Sequence, residues 1–148
     1  MNNDKKMKEI LKTSKYAIDT FNKKVSVIAQ KYNINVGEAT ALLFFYDNPN
    51  YLNAKDFVCK ENISKAYVSK IINSLLEKKL INITENADKR FQNIELNEKS
   101  INIIKILIDE REKFSSNILK NIDDKKLNIF FEVLEKVDKN IMEIEKGK

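Results

Sequence analysis

The chain has 148 residues, of which 43% are hydrophobic and 33% charged, and it carries a formal net charge of +5. This length predicts one domain over residues 1–148, and the apolar content excludes a generally disordered chain. The chain has no histidine and a single cysteine, Cys59, so it lacks the commonest metal ligand and general base; we therefore expect no enzyme, metal or other cofactor.

The beginning of the sequence predicts a long helix rather than a targeting segment. The first ten residues, MNNDKKMKEI, lack the apolar stretch of a secretory signal, and no run of about 18 apolar residues follows. We therefore expect a cytoplasmic protein with no membrane partner. From Met7 to Tyr32, apolar residues recur mostly every three or four positions, which predicts an amphipathic first helix.

Capping signals divide the next segment into three helices. Asn35 and Glu38 have the spacing of a capping box, and Asn53 with Asp56 repeats this start signal for a short third helix. The only proline ends the second helix within Asp47-Asn48-Pro49-Asn50. Ser64 can cap a fourth helix with apolar residues at helical spacing. The third and fourth helices therefore meet across a tight turn.

The pattern changes after Leu80 and predicts a β-hairpin. Alternating apolar residues at Ile81 and Ile83 precede the charged stretch ENADKRFQN, and Ile94 and Leu96 alternate after it. Two long amphipathic helices follow, one from about residue 97 to residue 121 and one beginning at Asp123-Asp124. The predicted fold is mainly α with a small β-wing.

This element order is typical of a winged helix-turn-helix with helical extensions. A helix is about 10–12 Å across and fits the major groove, which is about 12 Å wide. The fourth helix has polar or small residues beside its apolar stripe that suit phosphate and base contacts. These candidate DNA-binding residues are Ser64, Lys65, Ala66, Tyr67, Ser69, Lys70 and Asn73.

Charge is concentrated near this helix and at the hairpin tip. Locally, only Glu77 opposes four lysines, which are Lys65, Lys70, Lys78 and Lys79. Arginine suits a narrow minor groove, so the tip adds the candidates Asp88, Lys89 and Arg90, with the aspartate able to hold the guanidinium. A charged helix face or a polar turn by itself is commonly just a solvated surface. The adjacency of the two features favours nucleic acid.

Two stretches resemble the MarR family, the multiple-antibiotic-resistance regulators. ISKAYVSKIINSLLEKKLI aligns without gaps to the family's turn, recognition helix and strand entry, and DKRFQNIELNEKS is similar to its wing signature. The resemblance covers about residues 35–100 closely. Lys79 and Asn62 stand where the family often has glycine; asparagine is a mild change there, whereas a lysine in a left-handed conformation would be strained.

The resemblance implies a homodimer that binds double-stranded DNA at a pseudo-palindromic operator. The winged lobe would span about residues 35–100, and dimerisation helices about residues 5–33 and 98–146. Their apolar stripes are longer than one small lobe could cover, which also favours a partner chain. Family members are commonly released from DNA by small aromatic effectors. The function implied by the resemblance is therefore that of a ligand-responsive transcriptional regulator, which we expect to be a repressor.

Other functions remain open at this stage. A winged domain can serve as a protein-interaction module without binding DNA. Cys59 could instead be a reactive thiol, although its place in a helix with Phe57 and Val58 predicts a core residue. Phe44, Phe45 and Tyr46 could line a ligand cleft, but an aromatic cluster beside two leucines is more typical of packing.

Overall fold

A computed structural model describes residues 1–50, 53–61, 63–85 and 92–147. It contains six helices and one hairpin in these described residues, in the predicted order. The elements are α1 (Asn3–Lys31), α2 (Val36–Asp47), α3 (Ala54–Glu61), α4 (Lys65–Glu77), β1 (Ile81–Glu85), β2 (Gln92–Leu96), α5 (Glu98–Ile118) and α6 (Asp124–Lys146). The predicted mainly α fold with a small β-wing is confirmed.

The helices begin at the predicted capping residues. The Oδ1 atom of Asn35 accepts a hydrogen bond from the backbone N–H of Glu38 at 2.8 Å. In turn, Oε1 of Glu38 accepts a hydrogen bond from the backbone N–H of Asn35 at 3.2 Å. This is a complete capping box at the start of α2. Asn53 accepts from the Asp56 backbone N, and Ser64 Oγ accepts from the Tyr67 backbone N at 3.2 Å. These bonds satisfy amides that have no partner within their own helix.

The core of the winged lobe lies around α2. Phe44 and Phe45 of α2 contact Phe57 of α3, with ring centroids 5.0 and 5.6 Å from the Phe57 centroid. All three rings are buried, so Phe44 and Phe45 are packing residues, whereas Tyr46 is 42% exposed. Further buried side chains come from α4, the hairpin and α5, including Leu75, Ile81 and Ile104.

Cys59 is exposed, so the prediction that it is a core residue was wrong. The buried position of α3 is Phe57, which has no exposed surface. A helix turns by about 100° per residue, so a side chain two positions further points about 200° away. Cys59 therefore faces solvent for the same geometric reason that Phe57 faces the core.

The two strands of the hairpin are antiparallel and pair Ile81 with Leu96 and Ile83 with Ile94. Ile81 and Ile94 are buried, which anchors the base of the wing to the lobe. The tip, residues 86–91, lies outside the described residues, and Asn62 in the helix-helix turn does so too. The described part of the wing therefore consists of its two paired strands, which we call the stem.

A bidentate ion pair joins the end of α2 to α5. Arg111 Nη1 donates to Asp47 Oδ2 at 2.6 Å, and Arg111 Nη2 donates to Asp47 Oδ1 at 3.0 Å. The hydrogen bond to Asp47 raises the pKa of Arg111, which is already charged at neutral pH. α5 ends at Ile118, three residues before the predicted end, and Asn121 then adopts a left-handed φ of 60°. Asparagine tolerates that backbone, so it ends the helical segment.

The chain divides into two compact units, Met1–Phe114 and Ser115–Lys148. The first contains the winged lobe, in which the second half of α1 packs through Val25 and Ala29. The second contains α6, whose apolar side chains are not buried. Within the described residues, no helix is long and apolar enough to cross a membrane.

Candidate nucleic-acid interface

Helix α4 is amphipathic, and its apolar side fixes which residues face outward. Its buried residues are Val68, Ile71, Ile72 and Leu75, which recur at helical spacing and pack into the core. The seven predicted residues of this helix region are all exposed, namely Ser64, Lys65, Ala66, Tyr67, Ser69, Lys70 and Asn73. The fold therefore brings them onto the outer surface of one element.

Five of these residues form what we call the reading face, which consists of Lys65, Ala66, Ser69, Lys70 and Asn73. They lie opposite the buried stripe and combine two ammonium groups, a methyl group, a hydroxyl and a carboxamide. Such groups can contact phosphates, thymine methyl groups and base edges. Glu77 is also exposed near the end of the helix, so the positive charge lies in the first half of α4.

Tyr67 points along a different side of α4. Its hydroxyl lies so close to Gly37 that a side chain at residue 37 would clash with it. Tyr67 also lines an open groove of about 520 Å³ with Ser26, Ala29 and Gln30 of α1 and with residues 34–37. The structure therefore places Tyr67 at the edge of the reading face, where it joins a groove to the predicted recognition helix.

Lys78 does not belong to an unopposed cluster of lysines, as the local charge count suggested. Its Nζ donates to Oε1 of Glu38 at 2.9 Å, and Glu38 is only 1% exposed. Ser74 Oγ donates to the other carboxylate oxygen, Oε2, at 3.2 Å. The capping-box spacing in the sequence identified Glu38 as a local cap. Nothing in the sequence indicated the bonds from Ser74 and Lys78, because these residues lie 36 and 40 positions from Glu38.

The turn between α4 and the wing is short and is held by backbone and side-chain hydrogen bonds. Lys79 adopts a left-handed backbone, with φ of 57°, at the position where the family often has glycine. Its N–H donates to the Leu76 carbonyl, and the Leu80 N–H donates to the Leu75 carbonyl, each at 3.0 Å. Asn97 Nδ2 donates to the Lys79 carbonyl at 2.7 Å and so ties this turn to the start of α5. Such bonds satisfy the last carbonyls of a helix.

The wing stem begins directly after this turn, so the fold holds the hairpin at the C-terminal end of α4. The predicted tip residues Asp88, Lys89 and Arg90 lie outside the described residues. The structure thus describes the reading face and the base of the wing. The assignment of the tip to DNA remains a prediction from the sequence.

Similarity to known proteins is found at the level of structure. No protein-family model and no curated protein sequence matches this chain. A MarR protein from Peptoclostridium difficile DA00132 has a TM-score of 0.77 and 22% identity, covering 89% of this chain and 86% of that one. A putative MarR family transcriptional regulator from Listeria monocytogenes, solved with 26mer DNA, has a TM-score of 0.79 and 20% identity over 93% and 95% of the two chains.

The S. aureus MepR–DNA complex is a third similar structure, with a TM-score of 0.75 and 15% identity over 95% of this chain and 99% of that chain. These similarities extend beyond the winged lobe, since each covers most of both chains. The predicted resemblance is therefore confirmed at the level of the fold. The chain has the fold of the MarR-family transcriptional regulators.

Proposed function

We propose that this chain is a MarR-family transcriptional regulator, a homodimeric repressor that binds a pseudo-palindromic operator and is released by a small-molecule effector. The observation that carries the proposal is the reading face on α4, exposed beside the base of a wing. Two of the similar structures with this fold were solved with DNA. In this role the chain catalyses no reaction, and we expect it to act in the cytoplasm.

In this proposal α4 enters the major groove. Lys65 and Lys70 contact phosphates or guanine, and Ser69 and Asn73 donate and accept hydrogen bonds at base edges. Ala66 contacts a thymine methyl group. Ser64 contacts the DNA from the start of the helix, and Tyr67 contacts the edge of the groove. Arg90 reaches the neighbouring minor groove, with Asp88 holding its guanidinium and Lys89 beside a phosphate.

Exposed apolar side chains support a partner chain. In α1, Ile10, Leu11 and Ile18 are each more than half exposed. α6 exposes a larger set, which comprises Ile129, Phe130, Phe131, Val133, Leu134, Ile141, Met142 and Ile144. Large contiguous apolar surfaces mark interaction sites. A second copy would cover them and hold two α4 helices about 34–36 Å apart for adjacent half-sites.

The groove beside Tyr67 supports the effector part of the proposal. Its volume of about 520 Å³ is in the range of sites for small ligands. Its lining combines Ala29, Ile34 and Val36 with the polar side chains of Ser26 and Gln30. A small aromatic molecule bound there would touch α4 through Tyr67, and it would release DNA if it binds more tightly to a position of α4 that does not fit the operator.

Selection of bound fragments from random duplexes tests the function as a whole. We expect one pseudo-palindromic sequence to be enriched, and a candidate aromatic effector to weaken its binding. Recovery of no duplex at low salt would contradict the proposal. That result would favour the alternative function, a winged protein-interaction module that engages partner proteins through its long helices.

The reading face is tested by Lys70→Ala. Loss of a phosphate contact should weaken binding to all duplexes and reduce the slope of log affinity against log salt concentration by about one. Affinity is measured for the selected operator over a series of salt concentrations. Lys105→Ala, which removes an exposed lysine from α5, is the control and should change neither quantity. An unchanged slope and affinity for Lys70→Ala would remove Lys70 from the interface.

The wing is tested by Arg90→Ala. Removal of the guanidinium should cost about 1–3 kcal/mol of operator binding because a charged minor-groove contact is lost. Binding is compared with that of the unmodified chain at physiological salt. Undiminished affinity there would contradict the assignment of the wing.

The dimer is tested by Leu134→Asp on α6. A carboxylate placed among the exposed apolar residues should abolish association, because a charge is costly to bury at an apolar interface. Sedimentation equilibrium measures the mass of the variant, and circular dichroism checks that it is folded. Lys125→Asp changes the polar side of the same helix and should leave the dimer intact. A monomeric unmodified chain would contradict this part of the proposal.

A further inference from the structure

One buried carboxylate lies where the capping turn of α2 meets α4. Glu38 is 1% exposed, and both of its carboxylate oxygens accept hydrogen bonds. Oε1 accepts from the Lys78 ammonium and the Asn35 backbone, and Oε2 accepts from the Ser74 hydroxyl. A charge removed from water is costly unless partners of this kind surround it. The burial of Glu38 therefore depends on the position of α4.

The partners on α4 share one flank of the helix, which we call the α2-facing flank. It consists of Tyr67, Ser74 and Lys78, whose spacings of seven and four positions place them one above another. Tyr67 approaches Gly37, and Ser74 and Lys78 bond to Glu38. Two adjacent residues of α2 thus contact nearly the whole length of the flank. Gly37 permits the close approach because it has no side chain.

We propose that Glu38 is a positioning residue for DNA recognition, which sets the rotation of α4 and withholds Lys78 from the phosphate backbone. This inference rests on the proposed function. The apolar contacts of Val68, Ile71 and Leu75 fix which side of α4 is buried, but hydrophobic attraction has no direction and leaves small rotations of the helix less strictly determined. Hydrogen bonds to a single fixed carboxylate do have direction, so they select one orientation of the helix.

A small change in orientation is enough to matter at the bases. Because a helix with its side chains is about 10–12 Å across, a rotation of about 20° moves its outer surface by about 2 Å. Hydrogen bonds to base edges need distances of about 2.7–3.2 Å and do not survive such a shift. Lysine contacts to phosphates are more tolerant, because the side chain is long and the contact is largely electrostatic. Glu38 therefore acts on sequence discrimination more than on general attraction to DNA.

The critical variant is Glu38→Gln in the full-length chain. With its amide oxygen in the place of Oε1, glutamine keeps the capping box, but it lacks the negative charge that pairs with the Lys78 ammonium, and it presents an amide N–H₂ group where the Ser74 hydroxyl donates to Oε2. We expect affinity for the selected operator to fall by at least about ten-fold while affinity for a random duplex stays within about two-fold. Binding is measured well below the melting temperature, with circular dichroism to confirm that each variant is folded.

Lys78→Met provides an independent test that does not change the capping box. It should weaken operator binding and leave the random-duplex affinity and the salt dependence unchanged, because Lys78 is engaged by Glu38 rather than by phosphate. Lys105→Met is the matched loss of a lysine elsewhere and should change nothing. If Lys78→Met weakens both duplexes in parallel and flattens the salt dependence, Lys78 is a phosphate ligand and the inference is overturned.

Additivity gives a third criterion. If Glu38 and Lys78 act as one unit, Glu38→Gln combined with Lys78→Met should lose no more operator affinity than the worse single variant. Additive losses would overturn the inference. Should Glu38→Gln fail to fold, Ser74→Ala removes one of the hydrogen bonds alone and should reduce operator affinity in the same selective manner. An unchanged operator affinity in both Ser74→Ala and Lys78→Met would overturn the inference.

The results separate this inference from the proposed function. An unmodified chain that binds no duplex overturns the proposed function, and the positioning role falls with it. An unmodified chain that binds its operator, together with a folded Glu38→Gln variant that binds it equally well, overturns the positioning role alone.

Discussion

Helix α2 is apolar over most of its surface, and its burial organises the winged lobe. Its buried residues include a continuous run from Ala41 to Phe45, together with Ala39. A helix without a polar face must be covered all round by other elements. α1, α3, α4 and β2 each pack against it. The position of α4 is therefore a consequence of how α2 is enclosed.

The enclosure of α2 also explains two polar ties between α2 and other helices of the lobe. Glu38 in its first turn bonds to α4, and Asp47 at its last residue bonds to Arg111 of α5. Each pair supplies hydrogen bonds that a desolvated or partly desolvated charge needs. Lys78 and Arg111 are thus structural cations. Lys65 and Lys70, by contrast, are exposed on the reading face.

The apolar surfaces of α1 and α6 are of another kind. In the core, apolar groups are covered by the same chain, whereas the side chains of Ile18, Phe131 and Ile141 are each at least half exposed. Because exposed apolar area of this extent is unfavourable in water, these residues are the physical reason to expect association. Two copies of the reading face would follow from that association. DNA recognition in the proposed form depends on both surfaces.

The sequence by itself determined the elements, because their signals act over three or four residues. Asn35, Asn53 and Ser64 cap helices, and apolar spacing sets the buried side of α4. Only the tertiary structure decided that Cys59 faces solvent, that Tyr67 turns toward Gly37 and that Lys78 is held by Glu38. These outcomes depend on where separate helices meet. A contact between residues 40 positions apart leaves no periodic or capping signal, since its energy exists only once the core has brought the two helices together.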